Sequence, residues 1–257
     1  VMGVFMCDIE ESLTVIDEKT FAKGYYNFYK IFLMFMFGCF IGDVYEIVLH
    51  FVRYGEWVQR RGVIYGPFNP VYGFALALMV LFLGKIKKSG KLFICGSILG
   101  GTFEYLCSYI QEKVFGSLSW DYSDLFLNIN GRTTVPFALF WGFLCLVVMK
   151  LVVPYLSSLI EMIPRKFGIV CTWALCIFMI FDMGISTLAA NRDLERHKNI
   201  PPKNSLDVFL DIHYPDEVMR DAFQNADFVD DKSNKNTNED NKKDDDGEEI
   251  VEKLKIF

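Results

Sequence analysis

Asp43, Glu46, Glu104 and Asp182 are acids set in stretches of chain that are otherwise almost wholly apolar. A carboxylate in such surroundings is costly unless it is paired, hydrated or protonated. Three kinds of chemistry are open to such a group. It can join an ion-pair network that pins loops to helices. It can line a polar cavity that binds a solute or relays protons. It can serve as an acid/base pair in catalysis. The cations that follow the two glutamates are Arg60, Arg61 and Arg132, so Glu46 is expected to pair with Arg60 or Arg61, and Glu104 with Arg132. The sharper expectation is one cavity shared by Glu46 and Glu104 and neutralised by Arg61 and Arg132. His50 follows Glu46 at i+4, within reach on a helix, and reads as an interfacial side chain rather than a metal ligand. The sequence holds no HExxH, GxSxG or GxxxxGK[ST] pattern. No catalytic residue, metal site or cofactor is therefore expected, and the chain reads as a non-enzyme.

The elements that must hold these acids are membrane spans. The 257 residues are 52% hydrophobic and include 25 Phe, with a net charge of −6. That charge is uneven. Residues 1–190 carry 15 Lys+Arg against 14 Asp+Glu, and residues 191–257 carry 11 against 18. An apolar body is thus followed by an acidic tail. About 20 apolar residues cross the roughly 30 Å hydrocarbon core, and the body offers runs at 28–52, 67–84, 92–111, 135–156 and 167–190. The fold class expected is all-α, a polytopic membrane protein of five helices. Span two is the odd one. Its clean apolar stretch, 71–83, is short, so it must borrow length from Tyr65, Gly66, Pro67, Phe68, Asn69 and Pro70, which resist regular helix. Irregular backbone at membrane depth survives only where it is buried in protein or lines a cavity.

Around this body, residues 1–27 form a polar N-terminal segment, 191–229 a juxtamembrane helical segment, and 230–257 an acidic tail, mostly disordered because it is almost free of apolar residues. The first apolar run is expected to act as an uncleaved span. Six of the seven cysteines lie in apolar runs without CxxC spacing and read as small buried hydrophobes. Basic residues flanking the spans divide nine against nine between the two sides. The dense turn of Lys85, Lys87, Lys88 and Lys91 tips the balance to an N-terminus inside.

Sliding the chain by 58 residues sets Phe35, Gly38, Gly42, Tyr45, Glu46, Phe68 and Gly73 on Phe93, Gly96, Gly100, Phe103, Glu104, Phe126 and Gly131. This reads as an internal parallel repeat of a two-helix unit. Gly38, Gly42 and Glu46 share one helix face, as do Gly96, Gly100 and Glu104, because four residues advance about 400°. Small residues on a face let another helix approach. The expectation is that spans one and three meet along these glycines.

Three groups of residues carry a family resemblance. One is the run 61–73, including Arg61, Tyr65, Gly66, Pro67, Phe68, Pro70 and Gly73. The second joins Glu104 and Tyr105 to Phe115 and Gly116, then Trp120, Asp121, Tyr122 and Ser123, and Asn130, Gly131 and Arg132. The third is Phe209, Leu210 and Asp211 with Tyr214, Pro215, Asp216 and Glu217. Together they resemble a bacterial family of multi-spanning proteins assigned as ABC-transporter permeases. The resemblance implies a permease in the inner membrane working with a separate ATPase subunit. The partners expected are the lipid bilayer, that ATPase and a second copy of the chain, with no nucleic acid. The alternative is a membrane scaffold or regulatory protein whose carboxylate–arginine network is structural.

Overall fold

A computed structural model describes residues 21–22, 27–224 and 227–228. The sequence-based readings for residues 1–20 and for the tail beyond 228 lie outside the described residues. Helix α1 spans Phe28–Tyr54. Asn27 starts it by accepting a hydrogen bond from the Tyr29 N–H at 2.9 Å, and Gly55 ends it at φ +77°, a conformation that costs glycine little. Helix α2 spans Pro70–Leu83, with Pro70 in the first turn and Asn69 as its side-chain cap. Helix α3 spans Ser89–Phe115 and also ends on a left-handed glycine, Gly116. Strands β1 (Ser117–Leu118), β2 (Asn128–Ile129) and β3 (Thr133–Thr134) lie in the following loop, where β2 and β3 pair antiparallel.

Helix α4 (Val135–Val147) runs through a π-helical turn at Val148–Val152 into α5 (Val153–Glu161). Pro154 explains the turn. It has no N–H to give the Lys150 carbonyl, so the helix widens and the Val153 N–H bonds to Val148 instead. Helix α6, Arg165–His197, is 33 residues long. At 1.5 Å per residue that is about 50 Å, so its last turns project well beyond the membrane. Helices α7 (Ser205–His213) and α8 (Asp216–Ala222) fold back on that projection, and strand β4 (Asp227–Phe228) pairs antiparallel with β1.

Four helical segments are long and apolar enough to cross a membrane: α1, α3, α4 with α5, and α6. Helix α2 is apolar but has only 14 residues, about 21 Å of helix. The chain extends it as an irregular segment instead of more helix. Within 62–69 the Gly62 N–H bonds to Phe68 O at 3.0 Å and the Asn69 N–H to Cys39 O at 2.9 Å. The Ile64 N–H reaches Ser186 Oγ at 2.9 Å and the Tyr65 N–H reaches Asp182 Oδ1 at 3.1 Å. Those backbone donors are satisfied by α1 and α6 rather than by water.

The outward faces carry large apolar side chains such as Phe40, Ile98, Phe143, Ile177 and Ile180, as a lipid-facing surface requires. The buried positions include small and polar residues: Gly38, Gly42, Gly96, Gly100, Asp43, Ser97, Thr172 and Asp182. One apolar cluster, including Met34, Val80, Leu92, Cys145 and Val153, fills the end of the bundle near the α2–α3 turn. A second joins Phe35, Cys39, Ala77 and Met179 across α1, α2 and α6. A third, Ile64, Ala189, Leu210, Tyr214 and Met219, holds α7 and α8 against α6 and the 62–69 segment.

The glycine faces do not join spans one and three. Each packs against the second helix of its own hairpin. A Cβ on Gly38 would lie 2.8 Å from Tyr72 O and 3.0 Å from Gly73 Cα, and one on Gly42 would collide with the Tyr72 ring. In the second hairpin, a Cβ on Gly96 would lie 2.6 Å from Cys145 Cβ, and one on Gly100 would collide with Trp141. The second helix of each hairpin supplies the matching small residue, Gly73 opposite Gly38 and Gly142 opposite Gly96, which lets the backbones approach.

The structure also corrects the register of the repeat. A Cβ on Gly73 would strike Cys39 Sγ, the Phe35 carbonyl and Phe35 Cδ2; one on Gly142 would strike Ser97 Oγ, the Phe93 carbonyl and Phe93 Cδ2. The first helices therefore correspond at an offset of 58 residues and the second helices at 69. Gly142, not Gly131, is the partner of Gly73, and Phe126 lies in a loop rather than opposite Phe68. Of the eleven residues of difference, three lengthen the end of α3, four lengthen the start of α4 and four lie in the second loop, where β2 and β3 form.

Candidate functional site: buried carboxylates at the loop side of the bundle

Glu46, Glu104 and Asp182 are each held by a local construction of their own. Glu46 stands one turn beyond Gly42. Its Oε1 accepts a hydrogen bond from the Tyr72 hydroxyl, and Arg60 Nε lies 2.9 Å from its Oε2. Arg60, rather than Arg61, is its ion-pair partner. Glu104 occupies the same place in the second hairpin with different neighbours. It accepts from Thr133 Oγ1 at 2.6 Å and from the Tyr122 hydroxyl at 3.3 Å, and the Trp141 indole N–H also serves it. Arg132 does not pair with Glu104. It forms its ion pair with Glu112, two turns further along α3, and Ser108 accepts from it at 3.4 Å. Thr133, the next residue, takes Glu104, while Arg132 turns to Ser108 and Glu112.

Motif reading missed Trp141, and it gave Tyr72, inside the 61–73 run, no role of its own. Each precedes a seam glycine, and each turns a polar aromatic edge toward the glutamate of its hairpin. The Tyr-Gly and Trp-Gly dipeptides at an offset of 69 would have signalled them; the single offset of 58 hid them.

Asp43 and Asp182 form a different group. Both are 0% exposed. Asp182 Oδ1 accepts from the Tyr65 N–H and from Ser186 Oγ at 3.2 Å, while its Oδ2 has no partner. Neither oxygen of Asp43 has one. Arg61, whose Nε is likewise buried and unpartnered, is the cation whose field acts on both aspartates. The Cys39–Met179 cluster one turn away brings α1 and α6 together just before these two residues. His50 is half-buried, its Nδ1 has no partner, and its ring stands edge-on to Tyr54 at 4.7 Å.

The loop motifs build the lids over these acids. In the first loop Gly66, at φ +74°, lies under the Phe68 ring, and Phe68 meets Phe178 of α6 edge-on. Asn69 donates from Nδ2 to Arg60 O at 3.2 Å, which fixes the backbone that carries Arg60 and Arg61. In the second loop Trp120 Nε1 donates to Arg132 O at 3.0 Å and the Tyr122 N–H to Gly131 O at 2.8 Å. Asp121 Oδ1 accepts from Ser123 N and Oγ, and Asn130 Nδ2 donates to the Tyr105 hydroxyl. Gly131, at φ +67°, leaves no room for a Cβ beside Ser123. Tyr122 links the two lids: it donates to Glu104 and also lies in the field of Glu46, and burial holds its hydroxyl above the ordinary phenol range.

The C-terminal helices close the same side. The hydroxyls of Tyr65 and Tyr214 meet at 2.8 Å, and the Gln59 N–H donates to Gln224 Oε1 at 3.0 Å. Arg192 makes a two-pronged contact with Asp211, both bonds at 2.9 Å, and Arg196 bonds to Asp211, Asp216 and the Tyr214 carbonyl. Among the described residues no group of three or more His, Cys, Asp or Glu side chains is placed to hold a metal, and the described cysteines are free thiols.

Helices long and apolar enough to cross a membrane, with large apolar side chains outward and polar side chains turned inward, define a polytopic α-helical membrane protein. The chain belongs to the family described as "Putative ABC-transporter type IV", which it matches over residues 33–187. No curated protein and no solved structure matches it.

Proposed function

We propose that this chain is the membrane subunit, or permease, of an ABC-type transporter, and that a separate subunit hydrolyses ATP. The observation that carries the reading is the polar interior of a family member. Asp43, Glu46, Asp182 and the irregular 62–69 segment put charged groups and non-helical backbone inside a bundle with an apolar exterior. Membrane proteins keep such costly groups where they serve a pathway or a site. The 257 residues contain no phosphate-binding loop, which assigns nucleotide hydrolysis to another chain.

Orientation follows from charge. On the loop side Arg60, Arg132, Arg192 and Arg196 are neutralised by carboxylates. At the opposite end Lys87, Lys88 and Lys91 are exposed in the α2–α3 turn and its first helical turn. Unneutralised positive charge in a short turn is retained in the cytoplasm. This reading puts the lysine turn on the cytoplasmic face of the cell membrane, where an ATPase would dock, and the lids and C-terminal helices on the other face.

The test is extraction of the tagged full chain from its native membrane in mild detergent. An ATPase with a phosphate loop should copurify, and its hydrolysis rate should change when the permease is removed. Purification of the chain alone under conditions that preserve other ABC assemblies would refute the reading. The scaffold alternative would then hold; the saturated ion pairs around Arg132 and Arg192 are the observation that favours it.

A further inference from the structure

Asp43 is the acid that the construction of the bundle leaves unexplained. Glu46, Glu104 and Asp182 each receive donors that tie a lid or a helix in place. Asp43 receives none on either oxygen, and it is 0% exposed. The repeat sharpens the point. At the offset of 58 that relates α1 to α3, the residue matching Asp43 is Gly101, where a Cβ would lie 2.9 Å from Ala138 Cβ. The second hairpin closes that position by packing. The first keeps a carboxyl there, beside α6, the helix that has no counterpart in the repeat.

Charge counting gives the second step. The charges that act on Asp43 are Arg61 of the first lid and Glu46 on its own helix; Arg61 also acts on Asp182 of α6, Tyr72 of α2 packs on the neighbouring Gly42, and Cys39 lies one turn below. Arg60 neutralises Glu46. Arg61 can neutralise one of the two aspartates, and Asp182 already accepts two hydrogen bonds that favour its ionised form. One negative charge remains, without a donor, inside the membrane. A proton on Asp43 removes it. A metal cation would need several oxygen ligands, and among the described residues no three His, Cys, Asp or Glu side chains are gathered to supply them.

We propose that Asp43 is a proton-binding site, with Arg61 as the cation whose field it shares with Asp182, and with Glu46, one turn nearer the lids and partly exposed, as the step between it and water. The transfer takes one proton from the aqueous side onto an Asp43 oxygen, converting carboxylate to carboxylic acid with no other bond made or broken. The site depends on membrane insertion and on the α1–α6 contact. It does not require an ATPase partner, so its failure and the failure of the transport reading are separable.

Infrared difference spectroscopy of the full chain in lipid nanodiscs, stepped between alkaline and acidic buffer, reads this directly. The folded wild type should show a protonated-carboxyl C=O band equivalent to one group per chain. The band should be lost in Asp43→Asn, shifted in frequency in Asp43→Glu, and retained in Glu46→Gln with slower appearance after a pH jump. If Asp43→Asn does not fold, the frequency shift in Asp43→Glu carries the assignment alone. Persistence of the unshifted band in both Asp43 variants, or no such band in the folded wild type at any pH, overturns the proposal. So does a melting temperature that rises with sodium at fixed pH and ignores pH at fixed sodium, which would make the site a metal-cation site.

Discussion

Alanine at Gly38 and alanine at Gly184 differ only in what the new methyl meets. Both glycines are helical, so both substitutions gain about 1 kcal/mol of helix propensity. At Gly184 nothing lies within 4 Å of the added Cβ, and the gain should appear as stabilisation. At Gly38 the Cβ meets Tyr72 O at 2.8 Å and Gly73 Cα at 3.0 Å. Both are backbone atoms, so relief requires α1 and α2 to separate and cannot come from a side-chain rotation. Overpacking of this kind costs about 1–3 kcal/mol, and rigid neighbours put it at the upper end. Net destabilisation at Gly38 should therefore be about 1–2 kcal/mol, opposite in sign to Gly184. Gly142→Ala should behave like Gly38→Ala, because its Cβ meets the Phe93 carbonyl at 2.7 Å. Unfolding of the full chain by a denaturing detergent in mixed micelles, followed by circular dichroism, measures all three. The combinations separate the seams. Gly38→Ala with Gly142→Ala, in different hairpins, should add to within about 0.5 kcal/mol, while Gly38→Ala with Gly73→Ala, across one seam, should not. Equal effects at Gly38 and Gly184, or strong coupling between Gly38 and Gly142, would refute the seam within each hairpin.

Other outcomes follow from the lids and the C-terminal helices. Arg132→Ala and Glu112→Gln should couple by about 0.2–1 kcal/mol, as a partly exposed pair does, whereas Arg132→Ala and Glu104→Gln should be additive in the same unfolding assay. Tyr65→Phe and Tyr214→Phe each remove one end of a single hydrogen bond, so each should cost about 0.5–1.5 kcal/mol and the double variant no more than the larger single; proteolytic release of residues 205–224 reads the loss. Hydrogen bonds from Arg192, then Arg196, hold the Asp211 carboxyl below its ordinary range, although burial opposes them. A lowered value in the folded state gives stability that is present above the unfolded value of about 3.9 and is lost as pH falls through the folded one. The C-terminal helices should therefore stay protease-resistant down to about pH 4 and detach only below it, and Arg192→Ala should make them protease-sensitive already at neutral pH.

Hydrophobic length made most of the helices legible in the sequence, though not the capping residues that end them. Asn27, Gly55, Asn69, Pro70 and Gly116 act where their chemistry says they should. The shortfall of span two was legible as well, from Gly66, Pro67 and Pro70, though not the side chains that satisfy it: nothing local links Ile64 and Tyr65 to Ser186 and Asp182, more than a hundred residues away. The partner of Arg132 was misread for a related reason. Sequence order places Glu104 and Arg132 in parallel with Glu46 and Arg61, but in the second hairpin Thr133 takes Glu104 and Arg132 turns to Glu112, near the end of the longer α3. The seam partners were misread because a glycine face announces close approach without saying by whom.

The two hairpins share one plan: paired glycines on the first helix, an aromatic-glycine pair on the second, and a glutamate held by that aromatic edge. What a duplicated unit keeps in both copies is what its packing needs. The seam glycines and the Glu–aromatic contact fall in that class, which argues that Glu46 and Glu104 owe their place first to holding each hairpin together. What one copy holds alone is not required by the shared packing and needs another reason. The first hairpin alone has an acid at position 43, two arginines in its lid and the contact with Asp182. The second fills the corresponding position with Gly101 against Ala138 and hands its loop arginine to Glu112. The proton site proposed above therefore draws on the first hairpin and α6 alone, and the second hairpin supplies none of its groups.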